Sequence, residues 1–238
     1  MPRSRLPLAI ALVVFAAVCA RLGVWQLDRL AARRAANDAA AARRALPEVR
    51  LPSRIPAESL DGRKVRATGE YDRRGELILR GQVFSGVPGV VLVTPLRLDR
   101  GDTAVLVERG FVPSPDALAL PADTGLDEPG ARDVRGIAFA IADSSDGEPI
   151  ERGGRLSLRR LDLGVARQRS PHPLLAVVIR QSPDSSSAGF PRRRPAPALD
   201  EGPHLVYAIQ WFAFALTALV FGAVYLRKRG GIEKQTSR

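Results

Sequence analysis

The 238-residue sequence is poor in the side chains that most often build sites: it has one cysteine, Cys19, and two histidines, His172 and His204. A single thiol excludes an internal disulfide and any cysteine-rich zinc module, and two histidines cannot form a His-cluster metal site. Lysine is scarce, at three of the 36 basic residues, and aromatics make up 5% of the chain. With no basic stripe interleaved with aromatics in its middle, the chain does not read as nucleic-acid binding despite a formal charge of +11. No phosphate loop and no dinucleotide fingerprint is present. His172 is held between Pro171 and Pro173, a poor setting for a proton relay. Ser182 and Ser185–Ser187 lie in a stretch that reads as flexible, and the acids, mostly in turn segments, read as solvated. The chain is therefore expected not to be an enzyme.

What is abundant is apolar surface and a particular placement of charge. Residues 28–203 hold 28 basic and 24 acidic residues, whereas the rest holds eight basic residues and one acid, Glu233. The excess sits at Arg21 and in two tails, Arg3 and Arg5 at one end and Arg227, Lys228, Arg229, Lys234 and Arg238 at the other. Basic clusters beside apolar runs mark the cytoplasmic side of a membrane. Leu205–Leu226 is 22 residues without a charge, roughly 33 Å of helix and enough to cross a bilayer. The first apolar run, Leu6–Ala20, continues past Arg21 through Leu22-Gly23-Val24-Trp25. Arg21 can snorkel and Trp25 can sit in the interfacial belt, which makes this a second span. A cleaved signal peptide is the alternative, with Val18-Cys19-Ala20 resembling a cleavage site. Small pairs, Ala16 with Ala20 and Ala218 with Gly222, suit close helix packing.

The expected organisation is a cytoplasmic tail (1–5), a first span (6–27), a helical stalk and linker (28–61), a β-rich extracytoplasmic domain (62–181), a Ser/Pro/Arg-rich tether (182–203), a second span (204–226) and a cytoplasmic tail (227–238). The fold class is two transmembrane helices flanking a small antiparallel β domain, barrel or sandwich. Strands are predicted at Lys64–Glu70, Glu76–Arg80, Val90–Arg97, Thr103–Arg109, Val134–Ile141 and Leu174–Ile179. Turns are predicted at 72–75, 86–89 and 99–102, with polar loops at 113–129 and 143–154.

His204 stands at the outer mouth of the second span, on one helical face with Tyr207, Ala208, Trp211, Ala215, Ala218 and Gly222. A neutral imidazole in an apolar, aromatic setting suits an axial position on haem iron. Gln210, or a backbone carbonyl, would orient the ring. The competing reading is an interfacial histidine bonded to headgroups or to the tether.

Five segments resemble, in order, motifs of the Surfeit locus protein 1 family: Leu22-Gly23-Val24-Trp25-Gln26-Leu27 with Arg29-Leu30; Gly69-Glu70-Tyr71-Asp72; Gly86-x-x-Gly89 followed by Thr94-Pro95-Leu96; Leu106 to Pro113; and His204-Leu205-x-Tyr207-Ala208-x-Gln210-Trp211-Phe212. The chain departs from the family pattern at Glu108 (usually Asn), Phe111 (usually Trp) and Gly202-Pro203, and residues 113–173 match loosely. The resemblance implies a bacterial inner-membrane factor, both termini cytoplasmic, that assists assembly of haem-copper terminal oxidases. It implies haem a as the cargo, with His204 as its ligand. Tyr207, Gln210, Trp211, Trp25 and Arg29 are the residues expected around a transiently held haem, with Arg29 either pairing with a propionate or standing as a solvated stalk residue. Oxidase subunit I, haem a synthase and the bilayer are the partners implied. A tethered envelope scaffold without a cofactor is the alternative.

Overall fold

A computed structural model describes residues 6–121, 126–142, 148–152, 154–183 and 189–230, without the side chains of 228–230. The expected tail at 1–5, the end of the other tail (231–238) and Ser185–Ser187 lie outside the described residues. The chain divides into two compact units. One is formed by residues up to Ala40 together with those from Leu199 onward; the other is Ala41–Ala198.

The first unit is built on helices α1 (Leu6–Ala45) and α3 (His204–Gly230). Both are long and apolar enough to cross a membrane. No Gly or Pro interrupts Asp28–Ala45, and the Ala- and Arg-rich sequence carries α1 on as a single helix, as expected. The two helices meet along stripes of small residues. Ala16, Cys19, Ala215 and Ala218 are buried together, with Leu12, Ala20 and Trp211 packed against them. A Cβ on Gly23 would lie 2.7 Å from the Phe212 ring, so a larger residue there requires that ring to shift. Val13, Val14, Phe15, Ile209, Leu216 and Val220 face outward, a distribution suited to lipid rather than water.

The second unit contains β1 (Val49–Leu51), β2 (Lys64–Tyr71), β3 (Leu77–Phe84), β4 (Val87–Leu98), β5 (Ala104–Pro113), β6 (Ala131–Ala140), β7 (Ile150–Arg152), β8 (Arg155–Leu158), α2 (Leu163–Arg169) and β9 (Leu174–Gln181). Five strands close on themselves in the order β2-β6-β9-β5-β4, with β4 returning to β2. The closing contact is short, pairing Gly69 with Leu98, Glu70 with Arg97 and Tyr71 with Leu96. Gly69 makes it possible: a Cβ there would collide with the Arg97 carbonyl. Alternating residues fill the barrel, among them Val65, Ala67, Leu96, Leu98, Val105, Val107, Val134, Val177 and Ile179, and Leu60 packs with them. Each buried Val, Leu or Ile among them contributes roughly 1.5–3 kcal/mol by leaving water.

The domain is not antiparallel throughout. The pairs β5–β9, β1–β2 and β3–β8 are parallel. The turn expected at Gly86–Gly89 is displaced: Val87, Pro88 and Gly89 already pair with β3, and the bend is taken by Ser85 and Gly86, both at positive φ. Pro88 has no N–H to give the ladder, but its carbonyl accepts the Ser114 amide at 3.2 Å. The loop expected at 143–154 includes β7, and the loop at 113–129 contributes buried Leu126 to the core. Helix α2 starts on Asp162, whose carboxylate accepts the Val165 N–H at 2.9 Å. Leu163 and Ala166 of α2 pack on the outer face of β4 and β5.

Candidate functional site

Helix α3 begins at His204, and a polar clamp on α1 determines where. The Asp200 carbonyl accepts Arg33 Nε at 3.1 Å and Asn37 Nδ2 at 2.8 Å. Arg34 grips Glu201 through Nε and Nη2, each at 2.8 Å. The Arg34 hydrogen bond holds the Glu201 carboxyl below the ordinary carboxylate range. Exposed pairs of this kind are individually weak, but four contacts converging on two adjacent residues fix the approach to α3. The Asp200 carboxylate then accepts the Gly202 N–H at 3.1 Å, and Pro203 O accepts the Tyr207 N–H at 3.1 Å.

In this frame His204 is half-buried, and its Nδ1 lies 2.9 Å from Gln26 Oε1 on α1. Its Nε2 has no hydrogen-bond partner among the described residues. Trp211 is partly buried in the helix interface and packs edge-on against Phe214, ring centroids 5.9 Å apart. Trp25 and Tyr207 are exposed, at 45% and 46%. Arg29 lies over the Trp25 ring, 5.8 Å from its centroid, rather than standing alone in solvent. Gln210 is exposed and makes no side-chain hydrogen bond among the described residues. The residue that holds the His204 ring is Gln26. It stands inside the Leu22–Leu27 motif, and the spacing of buried Cys19, Gly23 and Leu30 on α1 is the signal that could have singled it out.

A second concentration of polar groups lies inside the β domain. A bulge in β5 sets Glu108 opposite Val93 and Gly110 opposite Leu92, so Arg109 is the extra residue. Arg109 is 1% exposed. It pairs with Glu76 at 3.6 Å and Glu128 at 3.0 Å, donates to the Leu126 carbonyl, and covers the Tyr71 ring at 4.7 Å. Glu76 also meets Arg155 at 2.7 Å and Thr94 Oγ1 at 3.0 Å. Glu108 meets Arg180 at 2.9 Å and Arg194 at 2.8 Å. Glu76 and Glu108 thus depart from the solvated-acid expectation, because arginines distant in sequence compensate the loss of water. Burial pushes the Tyr71 hydroxyl up to about 12. Burial acts to raise the Glu128 carboxyl too, but Arg193 and Arg109 outweigh it and hold it below its ordinary value.

Residues 192–194, expected within a tether, are bound to the domain. Arg192 and Phe111 exchange backbone hydrogen bonds of 2.8 Å in both directions. Arg193 is buried, donating to Arg109 O at 2.7 Å and Glu128 Oε1 at 2.6 Å. His172 ties two turns, with Nδ1 2.9 Å from Asp102 and Nε2 3.5 Å from Asp72. The arrangement braces a barrel.

A closed, charge-braced β-barrel between two terminal apolar helices, with a histidine at the start of the second, defines the class of protein. The SURF1 family model matches residues 13–216. The chain belongs to the SURF1 family. An uncharacterized SURF1-like protein of Mycobacterium tuberculosis (strain ATCC 25618 / H37Rv) is 27% identical over 229 residues, covering 90% of this chain and 80% of the relative. SURF1-like proteins of Monosiga brevicollis and Rickettsia felis are each 26% identical, covering 88% and 87% of this chain and 84% and 91% of theirs.

Proposed function

We propose that this protein is a non-enzymatic assembly factor for a haem-copper terminal oxidase, which takes haem a at the helix mouth and passes it to oxidase subunit I. Family membership supports the oxidase context. The observation that carries the haem reading is His204: one ring nitrogen is held by Gln26, and the other has no hydrogen-bond partner among the described residues, at the start of an apolar helix. The residues fit such a cargo. A neutral imidazole is a good iron ligand, apolar and aromatic side chains surround the helix start, and a single ligand suits a carrier that must release what it holds. Trp25, Tyr207, Gln210 and Trp211 supply ring and polar surface on the two helices, and Arg29 is the cation for a propionate. Haem a synthase is the source of the cargo in this reading.

The same reading places the protein in a bacterial inner membrane. Basic Arg227 follows the second apolar run, consistent with cytoplasmic termini and an extracytoplasmic β domain.

The test is the visible spectrum of full-length protein purified from cells making haem a. Wild type is expected to carry haem absorbance and His204→Ala to lose most of it. Full occupancy in His204→Ala overturns the ligand assignment. A wild type that never takes up haem favours a scaffold without a cofactor.

A further inference from the structure

We infer that Gln26 is the positioning residue for His204, fixing the imidazole as the Nδ1–H tautomer so that Nε2 alone is presented to a ligand. The haem-carrier reading is needed only for the identity of that ligand.

The geometry begins with two matched stripes. On α1, Cys19, Gly23 and Leu30 are buried four and seven residues apart, and Gln26, three residues after Gly23 and four before Leu30, falls on the same line. On α3, His204 continues the line of buried Ala208, Ala215 and Ala218. Gly23 seats the Phe212 ring one turn from Gln26, so the helix packing that buries Gly23 also sets Gln26 against His204. By contrast Trp25 and Arg29, off this line, are exposed.

The contact has a definite chemical sense. Gln26 Oε1 is a carbonyl oxygen and can only accept, so at 2.9 Å the Nδ1 of His204 is the donor. A neutral imidazole with its proton on Nδ1 has its lone pair on Nε2. The Nε2 edge is also kept clear. Gly202 stands beside it at φ +66°, and a Cβ there would lie 3.6 Å from both Cδ2 and Nε2. A glycine accommodates that φ and leaves the edge uncrowded. Without Gln26 the ring would divide between tautomers and rotate, and the Nε2–H form has no lone pair on Nε2 with which to ligate a metal there. Loss of such an orienting partner typically costs 10- to 100-fold in metal affinity.

The experiment uses full-length, haem-free protein in nanodiscs, labelled with ¹⁵N-histidine. Ring ¹⁵N shifts distinguish the tautomers, and His172 is the internal control. Wild type is expected to show His204 as Nδ1–H, Gln26→Leu a mixture, and Gln26→Glu the Nδ1–H form with a stronger acceptor. In haem titrations Gln26→Leu should weaken binding 10- to 100-fold, and Gln26→Glu should raise the iron–histidine stretching frequency. An unchanged His204 tautomer in Gln26→Leu overturns the inference. Should that variant not insert, an unshifted iron–histidine frequency in Gln26→Glu overturns it instead. A tautomer change in a protein that binds no haem leaves Gln26 as the residue that holds the ring and removes the carrier reading.

Discussion

The guanidinium of Arg109 lies over Tyr71, 4.7 Å from the ring centroid, and from there reaches the carboxylates of both Glu76 and Glu128. One side chain thus ties the end of β2 to the β5 bulge, to the residue before β3 and to the loop leading into β6. Removing it strands Glu76, which is 3% exposed, with Arg155 as its remaining cation. Breaking a buried pair from one side typically costs about 3–5 kcal/mol. Arg109→Ala should lose about that much in thermal or denaturant unfolding of the full-length protein. Arg66→Ala, which removes a surface pair with Asp133 at 2.7 Å, should cost about 1 kcal/mol or less. Equal losses for the two would refute the assignment of Arg109 as the central brace.

Tyr71 gives the domain an alkaline limit. Its hydroxyl, half-buried and donating to Gln181 at 3.3 Å, is pushed by burial up to about 12 in the folded protein. In the unfolded chain it titrates near 10. Between those values the unfolded state releases a proton that the folded state keeps, so stability falls as pH rises. Tyr71→Phe should remove this slope while costing about 1 kcal/mol near neutrality for the lost hydrogen bond. The check is the unfolding midpoint from pH 8 to pH 11. Parallel curves for wild type and Tyr71→Phe would count against it.

The segment leading to α3 is held by the side chains of Arg193 and Arg194, and not by that of Arg192. Arg193 donates to Glu128 and to the Arg109 carbonyl, whereas Arg192 joins through its backbone and its side chain is exposed. Arg193→Ala should cost about 2–3 kcal/mol, the range for charge-assisted hydrogen bonds, and Arg192→Ala under about 0.5 kcal/mol. Hydrogen exchange at the Phe111 and Arg192 amides reads the release directly. Acid should do the same. Because Glu128 is held below its ordinary pKa, its contribution is complete above the unfolded-chain value and is lost as pH falls through the lower folded value. Protection of those two amides should therefore drop on acidification in wild type, and the drop should be smaller in Arg193→Ala.

How much of this was legible in the sequence depends on the range of the interaction. The long apolar helices, the β-rich middle and the turns at 72–75 and 99–102 follow from local periodicity and turn chemistry, and the structure has them. Closure of the barrel was not legible, because it rests on three register pairs between β2 and β4 at the single glycine that allows contact. The three-residue strands β1 and β7 are too short to show a period. The burial of Glu76 and Glu108 depends on Arg155 and Arg194, 79 and 86 residues away in sequence, a relation no local pattern encodes. At the helix mouth His204 was visible by its place, whereas Gln26 became visible only once the two helices were in register.

That register has its own test in two glycines of the helix pair. A Cβ on Gly23 would come within 2.7 Å of the Phe212 ring, whereas one on Gly222 would meet Leu12 at an ordinary 3.5 Å. Helices pack in lipid by van der Waals contact between small residues, with no hydrophobic drive to compensate a poor fit. Gly23→Ala should force Phe212 or the whole of α3 outward, and Gly222→Ala should be tolerated. The sensitive readout is the His204 ring, because its contact with Gln26 sits one helical turn from Gly23. A displacement of about 1 Å stretches a 2.9 Å hydrogen bond beyond useful length. Gly23→Ala is therefore expected to reproduce the ¹⁵N tautomer mixture of Gln26→Leu although it touches neither partner, and Gly222→Ala to leave wild-type shifts. A Gly23→Ala protein with unchanged shifts would mean that Phe212 yields locally and the helix register is set elsewhere, with the Asp200 and Glu201 clamp then the element to remove next.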